Sequence, residues 1–272
     1  MSGSIHPTAI VDPSAELAAD VVVGPYARIG AGVTIGSGTT IGAVAQVEGP
    51  TRIGSDNRVF PQACIGFEPQ DLKFGGEEVF LEIGDRNVFR EFSTVHRGTG
   101  KGGGLTTVGD DNLFMVFTHV AHDCHVGSRT IFSNNATLAG HVEVHDDATV
   151  GAFSAVHQFC RVGRHAYIGG FSVITMDVLP FSKCVGQKPA FVGVNRIGLE
   201  RKGFDKAALE RVEAAMRVLV RSGLNAGRAL EVLAEEQADS HEAQELVRFV
   251  SSSERGVIRR LPTRRARGGG AA

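Results

Sequence analysis

The sequence contains no tryptophan, 2 tyrosines and 4 cysteines. Cys64, Cys124, Cys160 and Cys184 form no CxxC pair and no short regular spacing. Zinc held by cysteine is therefore not expected, whereas reduced thiols in a cytoplasmic protein are. No uninterrupted apolar run reaches roughly eighteen residues, which excludes a helical membrane span. The opening MSGSIHPTAIVDPSAE has no basic stretch followed by an apolar one, so no secretory signal is expected. A charge excess is missing too, with 28 Lys and Arg against 30 Asp and Glu and a formal net charge of −2. A chain-wide basic footprint for nucleic acid is thereby excluded. The 42% of hydrophobic residues still suffice for a core, so the chain is not disordered as a whole.

What is abundant is glycine, 35 of 272 residues, and it is patterned. From Ile5 an apolar residue recurs every sixth position through Val11, Leu17, Val23, Ile29 and onward to Ile65. It reappears at Ile83, Phe89 and Val95, then runs unbroken from Val108 to Ile174. There are 26 such register positions, and 12 of them are followed directly by Gly. The residue two before each is usually small, as at Ala27, Ala63, Ala136 and Ser154. Neither a helical nor a plain strand period explains this. Short strands joined by tight turns, three to a coil, do; the register residue and the small one point inward and Gly sits at the corner with positive φ. The expected fold is mainly β, a parallel β-helix of hexapeptide repeats over 1–190.

Asp71 and Glu77 fall on register positions, and two carboxylates inside an apolar prism would be prohibitive. Residues 66–82 are therefore expected to leave the coil as a loop. The spacing from Val95 to Val108 is out of phase by one, so 96–107, with its glycine-rich HRGTGKGGGLTT, is a second excursion, expected to be mobile. From about Phe204 the period becomes helical, with Asp205 as N-cap and further helices near 225–237 and 240–250. A small C-terminal α-helical domain over 191–258 and a disordered basic tail over 259–272 follow from this.

Six of the 10 histidines lie between positions 119 and 157. His122, Gly140 and Gln158 are each eighteen apart and should stack on successive coils, flanked by His119, His141 and His157. His145, His165 and His241 read as solvated corner histidines. Two chemistries compete for the cluster. Three histidines could hold a metal, as in the gamma-class carbonic anhydrases that share this repeat. Alternatively His122 is a general base paired with Asp123, and the Gly140 N–H stabilises an oxyanion, which suits acyl transfer from a thioester.

The segments GFEPQDLKF (66–74), IGDRNVFRE (83–91), HRGT (96–99), HVAHDC (119–124), NNATLAGHV (134–142), AVHQF (155–159), GVN (193–195) and RKGF (201–204) resemble the acyl-(acyl-carrier-protein)–UDP-N-acetylglucosamine O-acyltransferases, over nearly the whole chain. The resemblance implies a left-handed β-helix and a homotrimer with sites between subunits. It implies transfer of an (R)-3-hydroxyacyl group from acyl carrier protein to the 3-hydroxyl of UDP-N-acetylglucosamine, the first step of lipid A biosynthesis, with no cofactor or metal. His122 matches the general base, Asp123 its partner and Gly140 the oxyanion donor. Gln70, Asp71, Lys73, His119, His141, His157, Gln158, Asn195, Arg201 and Lys202 match substrate-contacting positions. Tyr167, Gly170 and Lys188 match the acyl-chain ruler, and Arg201, Lys202, Arg217 and Arg221 could dock the acidic carrier.

The chain departs from the pattern at Ile197, where many relatives carry Glu, and at Lys188, where some carry His. A 3-amino sugar nucleotide remains an alternative acceptor. The N-acyltransferase of the same pathway is less suited, because it carries a uridine-binding domain before the repeat and here the repeat begins at Ile5. A binding solenoid without chemistry would need no stacked His–Gly–Gln column.

Overall fold

A computed structural model describes residues 3–261. Strands of mostly two residues, such as Val22–Val23, Arg28–Ile29 and Thr137–Leu138, build three sheets of eleven, nine and eight strands. These are the first, second and third faces of a triangular coil, in the order the chain visits them. Pairing within the coil is parallel and advances one turn at a time: His119 lies beside Thr137, and Leu138 beside Val156. The register residues and the small residues two before them fill the prism, and Ala136 and Leu138 are both fully buried. The first coil is the exception, with Ile5 52% exposed and Val11 and Leu17 only partly buried, because no coil lies beneath it among the described residues.

Stacking makes like residues touch like residues. Phe89, Phe114 and Phe132 pile up inside the coil with ring centroids 4.8 Å apart at each step. Asn57, Asn87 and Asn112 form a second internal ladder, buried yet satisfied. Asn57 Oδ1 accepts the Asn87 N–H at 2.9 Å, and Asn87 Oδ1 accepts the Asn112 N–H at 3.0 Å. Their amide groups donate to the carbonyls of Gly84, Gly109 and Gly127. Complete pairing is what lets such groups sit in an apolar core.

The corner chemistry differs from expectation. From Val23 onward positive φ falls three residues after most register residues rather than one, Gly66 being an exception, and it is mostly taken by non-glycine residues such as Phe117, Asp123, Arg129 and His141. The glycines that follow the register residues serve stacking instead. A Cβ on Gly36 would lie 2.6 Å from the Gly54 carbonyl carbon of the next coil. The three corners carry different side chains. Between the first and second faces runs an exposed, mostly apolar series of Tyr26, Val44, Phe92, Phe117, Phe153 and Phe171, interrupted by Gln62 and Asn135. Phe92 stacks on Phe117, and Phe153 on Phe171. Between the third face and the first lie Asp111, Arg129, Asp147 and His165. The corner between the second and third faces holds Asp123 and His141.

The strand Cys64–Phe67 runs into the first excursion, and the coil resumes at Phe80–Ile83. Thr94–His96 and Leu105–Val108 bracket the second. Asp71 and Glu77 lie outside the core, as their charge demands. The coil then gains one strand beyond Pro180: Ser182–Val185 pairs parallel with Tyr167–Ile168 and antiparallel with Ala190–Val194. Four helices follow: α1 (Arg196–Arg201), α2 (Lys206–Met216), α3 (Ala226–Glu236) and α4 (His241–Ser251). Asp205, Asn225 and Ser240 cap the last three by accepting backbone N–H groups. They enclose a second core of Leu199, Leu209, Leu219, Leu233 and Leu246. Among the described residues no helix is long and apolar enough to cross a membrane.

After α4 the chain returns to the coil, where Ile258 joins the prism core. The expected tail over 259–272 starts too early, because Arg259 donates to the carbonyls of Leu219 and Leu224 and Arg260 O accepts the Phe191 N–H. Residues 262–272 lie outside the described residues.

Phe114 contacts a stacked ring on both sides, so Phe114→Ala should cost about 3–5 kcal/mol, read as a lowered urea midpoint. A loss below about 1 kcal/mol would mean that the ladder repacks.

Candidate active site

The corner between the second and third faces gathers the titratable residues. Val120 ends a strand of the second face, and the chain turns at His122 and Asp123. Neighbouring side chains in a strand point apart, but φ of +56° at Asp123 folds them together. His122 Nδ1 lies 2.8 Å from Asp123 Oδ2. The carboxylate is fully buried, whereas the imidazole keeps 14% of its surface exposed.

Asp123 is held from several directions. Its Oδ1 accepts the Thr99 N–H at 2.8 Å, its Oδ2 accepts the Thr99 hydroxyl at 2.7 Å, and its own N–H donates to Thr106 Oγ1 at 2.8 Å. The glycine-rich excursion expected to be mobile is thus folded onto the site. Acceptance by a carboxylate leaves His122 Nδ1 as the donor and Nε2 free as a base.

Gly140 lies one coil further on, and a Cβ there would collide with the His122 ring. Its N–H meets no acceptor among the described residues. His141 Nε2 approaches Asp123 Oδ2 at 3.7 Å, and its ring meets His122 edge-on at 5.1 Å while stacking on Phe159 at 4.4 Å. Burial holds the His141 pKa below the usual imidazole range, opposed by Asp123.

His119 makes a 2.7 Å hydrogen bond through Nδ1 to Thr94 Oγ1, and burial lowers its pKa, helped by His122. Behind it His96 is 7% exposed, meets the His119 ring edge-on at 5.0 Å, and has no partner for Nδ1. Burial, reinforced by His119, pushes its pKa down to about 4. His157 instead turns to Arg255, whose Nη2 lies 3.2 Å from Nδ1, and Gln158 is exposed. Gln70, Asp71 and Lys73 sit on the first excursion; Asp71 Oδ1 accepts the Lys73 N–H, and its charge reaches His141.

The remaining candidates lie elsewhere on the prism. Asn195, Ile197, Arg201, Lys202 and Tyr167 line a cavity of about 560 Å³ at the first face and its charged corner. There Lys202 Nζ pairs with Asp147 Oδ1 at 2.6 Å, and Asn195 Nδ2 donates to the His165 carbonyl at 3.0 Å. Lys188 lines a different cavity of about 420 Å³ with Met176 and Val257, and Gly170 stands at the aromatic corner. Within one chain, then, the three ruler residues do not meet, nor does the Asn195 group meet His122. His165 is not solvated as expected; it is 3% exposed against Phe181 and Phe204, and burial pushes its pKa to about 4. Sequence reasoning missed His96, Thr99 and Asp147, whose only signals were membership of HRGT for the first two and a corner position for the third.

His122, Asp123 and His141 could offer a cation three ligand atoms within 4.8 Å of one another. The donor set fits poorly, because the Asp123 carboxylate already accepts two hydrogen bonds from Thr99 and one from His122. What the arrangement can do is take a proton at His122 Nε2, stabilise the resulting imidazolium through Asp123, and offer an N–H beside it.

Comparison with known proteins identifies the family. Residues 177–258 match the family profile described as UDP N-acetylglucosamine O-acyltransferase, domain 2. The chain is 51% identical over 259 residues to an acyl-(acyl-carrier-protein)–UDP-N-acetylglucosamine O-acyltransferase of Stenotrophomonas maltophilia, covering 94% of this chain and 97% of that one. Among solved structures, UDP-N-acetylglucosamine acyltransferase of Francisella novicida matches with a TM-score of 0.93 at 35% identity, covering 96% of this chain and 95% of that one. The Moraxella catarrhalis UDP-N-acetylglucosamine O-acyltransferase gives 0.91 at 39% identity, with 94% and 99% coverage. The β-helix, like theirs, is left-handed.

The two low histidine pKa values fix a pH dependence. His96 and His165 stay neutral when folded down to about pH 4, but the unfolded chain protonates them near pH 6.5. Between those limits the unfolded state binds more protons, so stability falls as pH drops, by up to about 1.4 kcal/mol per pH unit for each. Urea denaturation from pH 7 to 4.5 should show that slope, and His96→Gln should flatten it.

Proposed function

The chain belongs to the acyl-(acyl-carrier-protein)–UDP-N-acetylglucosamine O-acyltransferases, and on that premise we propose that His122 is its general base, Asp123 the partner and Gly140 the oxyanion donor. The observation that carries this reading is the His122–Asp123 hydrogen bond with Gly140 packed against the same ring. His122 Nε2 takes the proton of the sugar 3-hydroxyl as that oxygen attacks the thioester carbonyl of an (R)-3-hydroxyacyl carrier protein. The carbonyl oxygen gathers charge toward the Gly140 N–H. The C–S bond then breaks, and the departing thiolate receives the proton from His122. His119 and His141 line the approach, and burial lowers the pKa of both, which disfavours their competing for that proton.

We further propose that the working enzyme is a homotrimer. A separation within one chain supports it: His122 lies at one corner of the prism, while Asn195, Arg201, Lys202 and Tyr167 line a cavity at another. A second copy can bring one chain's base against another's cavity, and the exposed aromatic corner supplies apolar surface for association. Gln70, Asp71 and Lys73 would then hold the sugar nucleotide with the Asn195 group, where Ile197 leaves one polar contact to be made by other residues. Gly170, Tyr167 and Lys188 would limit acyl length only across such a junction. His157 and Gln158, exposed on the same face as Gly140, would line the acyl side. All four cysteines are free thiols, in keeping with a cytoplasmic location.

Mass spectrometry of products from UDP-N-acetylglucosamine and a panel of 3-hydroxyacyl carrier proteins tests the reaction. One acylated sugar nucleotide is expected, and His122→Ala should lower its rate by about 10²–10⁴-fold. Near-normal activity in that variant would refute the base.

Arg217 and Arg221 line a cavity beside α2 with Lys183 and with Arg196, which pairs with Glu213 at 3.0 Å. Lys202 is already paired with Asp147, which leaves these arginines as the better dock for an acidic carrier. Charge reversal at Arg217 and Arg221 together should raise KM for the carrier several-fold and leave KM for the sugar nucleotide unchanged.

A further inference from the structure

We propose that Thr99 is a positioning residue for the His122–Asp123 pair, and that the glycine-rich excursion is the strap that holds it. The inference rests on His122 acting as base. The polarity of the Thr99 hydroxyl is set by its neighbours. Thr99 Oγ1 accepts the Gly102 N–H at 3.1 Å, so its single proton points the other way, to Asp123 Oδ2 at 2.7 Å. The Thr99 N–H takes Asp123 Oδ1 at 2.8 Å. One residue thus grips both carboxylate oxygens, which prevents rotation about the bond to the carboxyl carbon. The remaining direction at Oδ2 faces His122 Nδ1. An acceptor locked in that place fixes both the tautomer and the tilt of the imidazole.

The glycines around Thr99 follow from this grip. A Cβ on Gly102 would collide with the Asp123 carboxylate, and one on Gly98 would lie 2.9 Å from Asp123 Oδ1. Gly103 and Gly104 take φ of +102° and +78°, which side chains rarely adopt. The far side of the strap is latched by Glu77 from the first excursion. Its carboxylate accepts the Gly75 N–H of its own loop at 2.7 Å and the Gly100 N–H at 3.2 Å. Gly100 follows Thr99 directly, so the loop that carries Gln70, Asp71 and Lys73 is tied through Glu77 to the group that orients the base.

Thr99→Val keeps the shape and removes the hydroxyl. It should lower kcat about tenfold or more, with KM for both substrates within about twofold of the parent. Losing a donor leaves more of the Asp123 charge to His122, so the acidic limb of the kcat–pH profile should move to higher pH. Thr99→Ser should restore both. A purely structural role would change thermal stability without moving the limb. Unchanged kcat and limb in Thr99→Val, or a Thr99→Ser variant as impaired as Thr99→Val, would overturn the proposal. Should Thr99→Val fail to fold, Glu77→Ala releases the latch at the surface and must lower kcat with the same shift of the limb; unchanged values there overturn it too. His122→Ala is assayed alongside. If that variant is inactive while Thr99→Val is normal, only the strap fails; if it is active, the base itself fails.

Discussion

Parallel stacking of coils in strict eighteen-residue register is the constraint on which the rest of the molecule depends. Each coil must present its backbone to the next at the β spacing, about 4.8 Å, with no slip. That demand explains the glycines after the register residues, since a Cβ on Gly36 or Gly163 would enter the backbone of the following coil. It also explains why unlike side chains form ladders of like ones: phenylalanines in the core, asparagines beneath one corner, aromatics outside another.

A triangular coil has three corners, and each here has its own chemistry. Because every corner uses positive φ, it can set two successive side chains on one side, which a straight strand cannot. That local geometry is what allows His122 and Asp123 to meet. The same geometry on the charged corner pairs Arg129 with Asp146 and Asp147, and Asp147 with Lys202. The rigid prism supplies positions, and the two excursions add what the repeat cannot. One brings Thr99 onto a buried carboxylate, and the other carries the polar residues expected to meet the sugar nucleotide.

Burial disfavours protonation of the histidines around His122. Loss of solvent lowers the pKa of His96, His119 and His141, so the one imidazole with a carboxylate at hydrogen-bonding distance stands apart from its neighbours. Rings whose protonation is disfavoured around a single one held by a carboxylate leave little competing positive charge beside His122.

Periodicity alone determined much of this. A sixfold apolar repeat has one compact solution, and stacking by eighteens places His122, Gly140 and Gln158 in a column without any knowledge of the coordinates. The helix cap at Asp205 and the starts of two further helices near residues 225 and 240 were equally legible, because capping and helical period are local chemistry. Wherever the register breaks, sequence arithmetic loses its ruler. Nothing in HRGTGKGGG states that Thr99 reaches across to Asp123, or that His96 is buried behind His119. Corner φ was misplaced by two residues because glycine enrichment reports either backbone freedom or close approach, and only the stacked coils distinguish them. The partition of candidate residues between two corners, and the ordered Arg259 and Arg260, likewise depend on contacts distant in sequence. Local periodicity determines which face a residue occupies; which residue from elsewhere lies opposite it is decided by the folded chain.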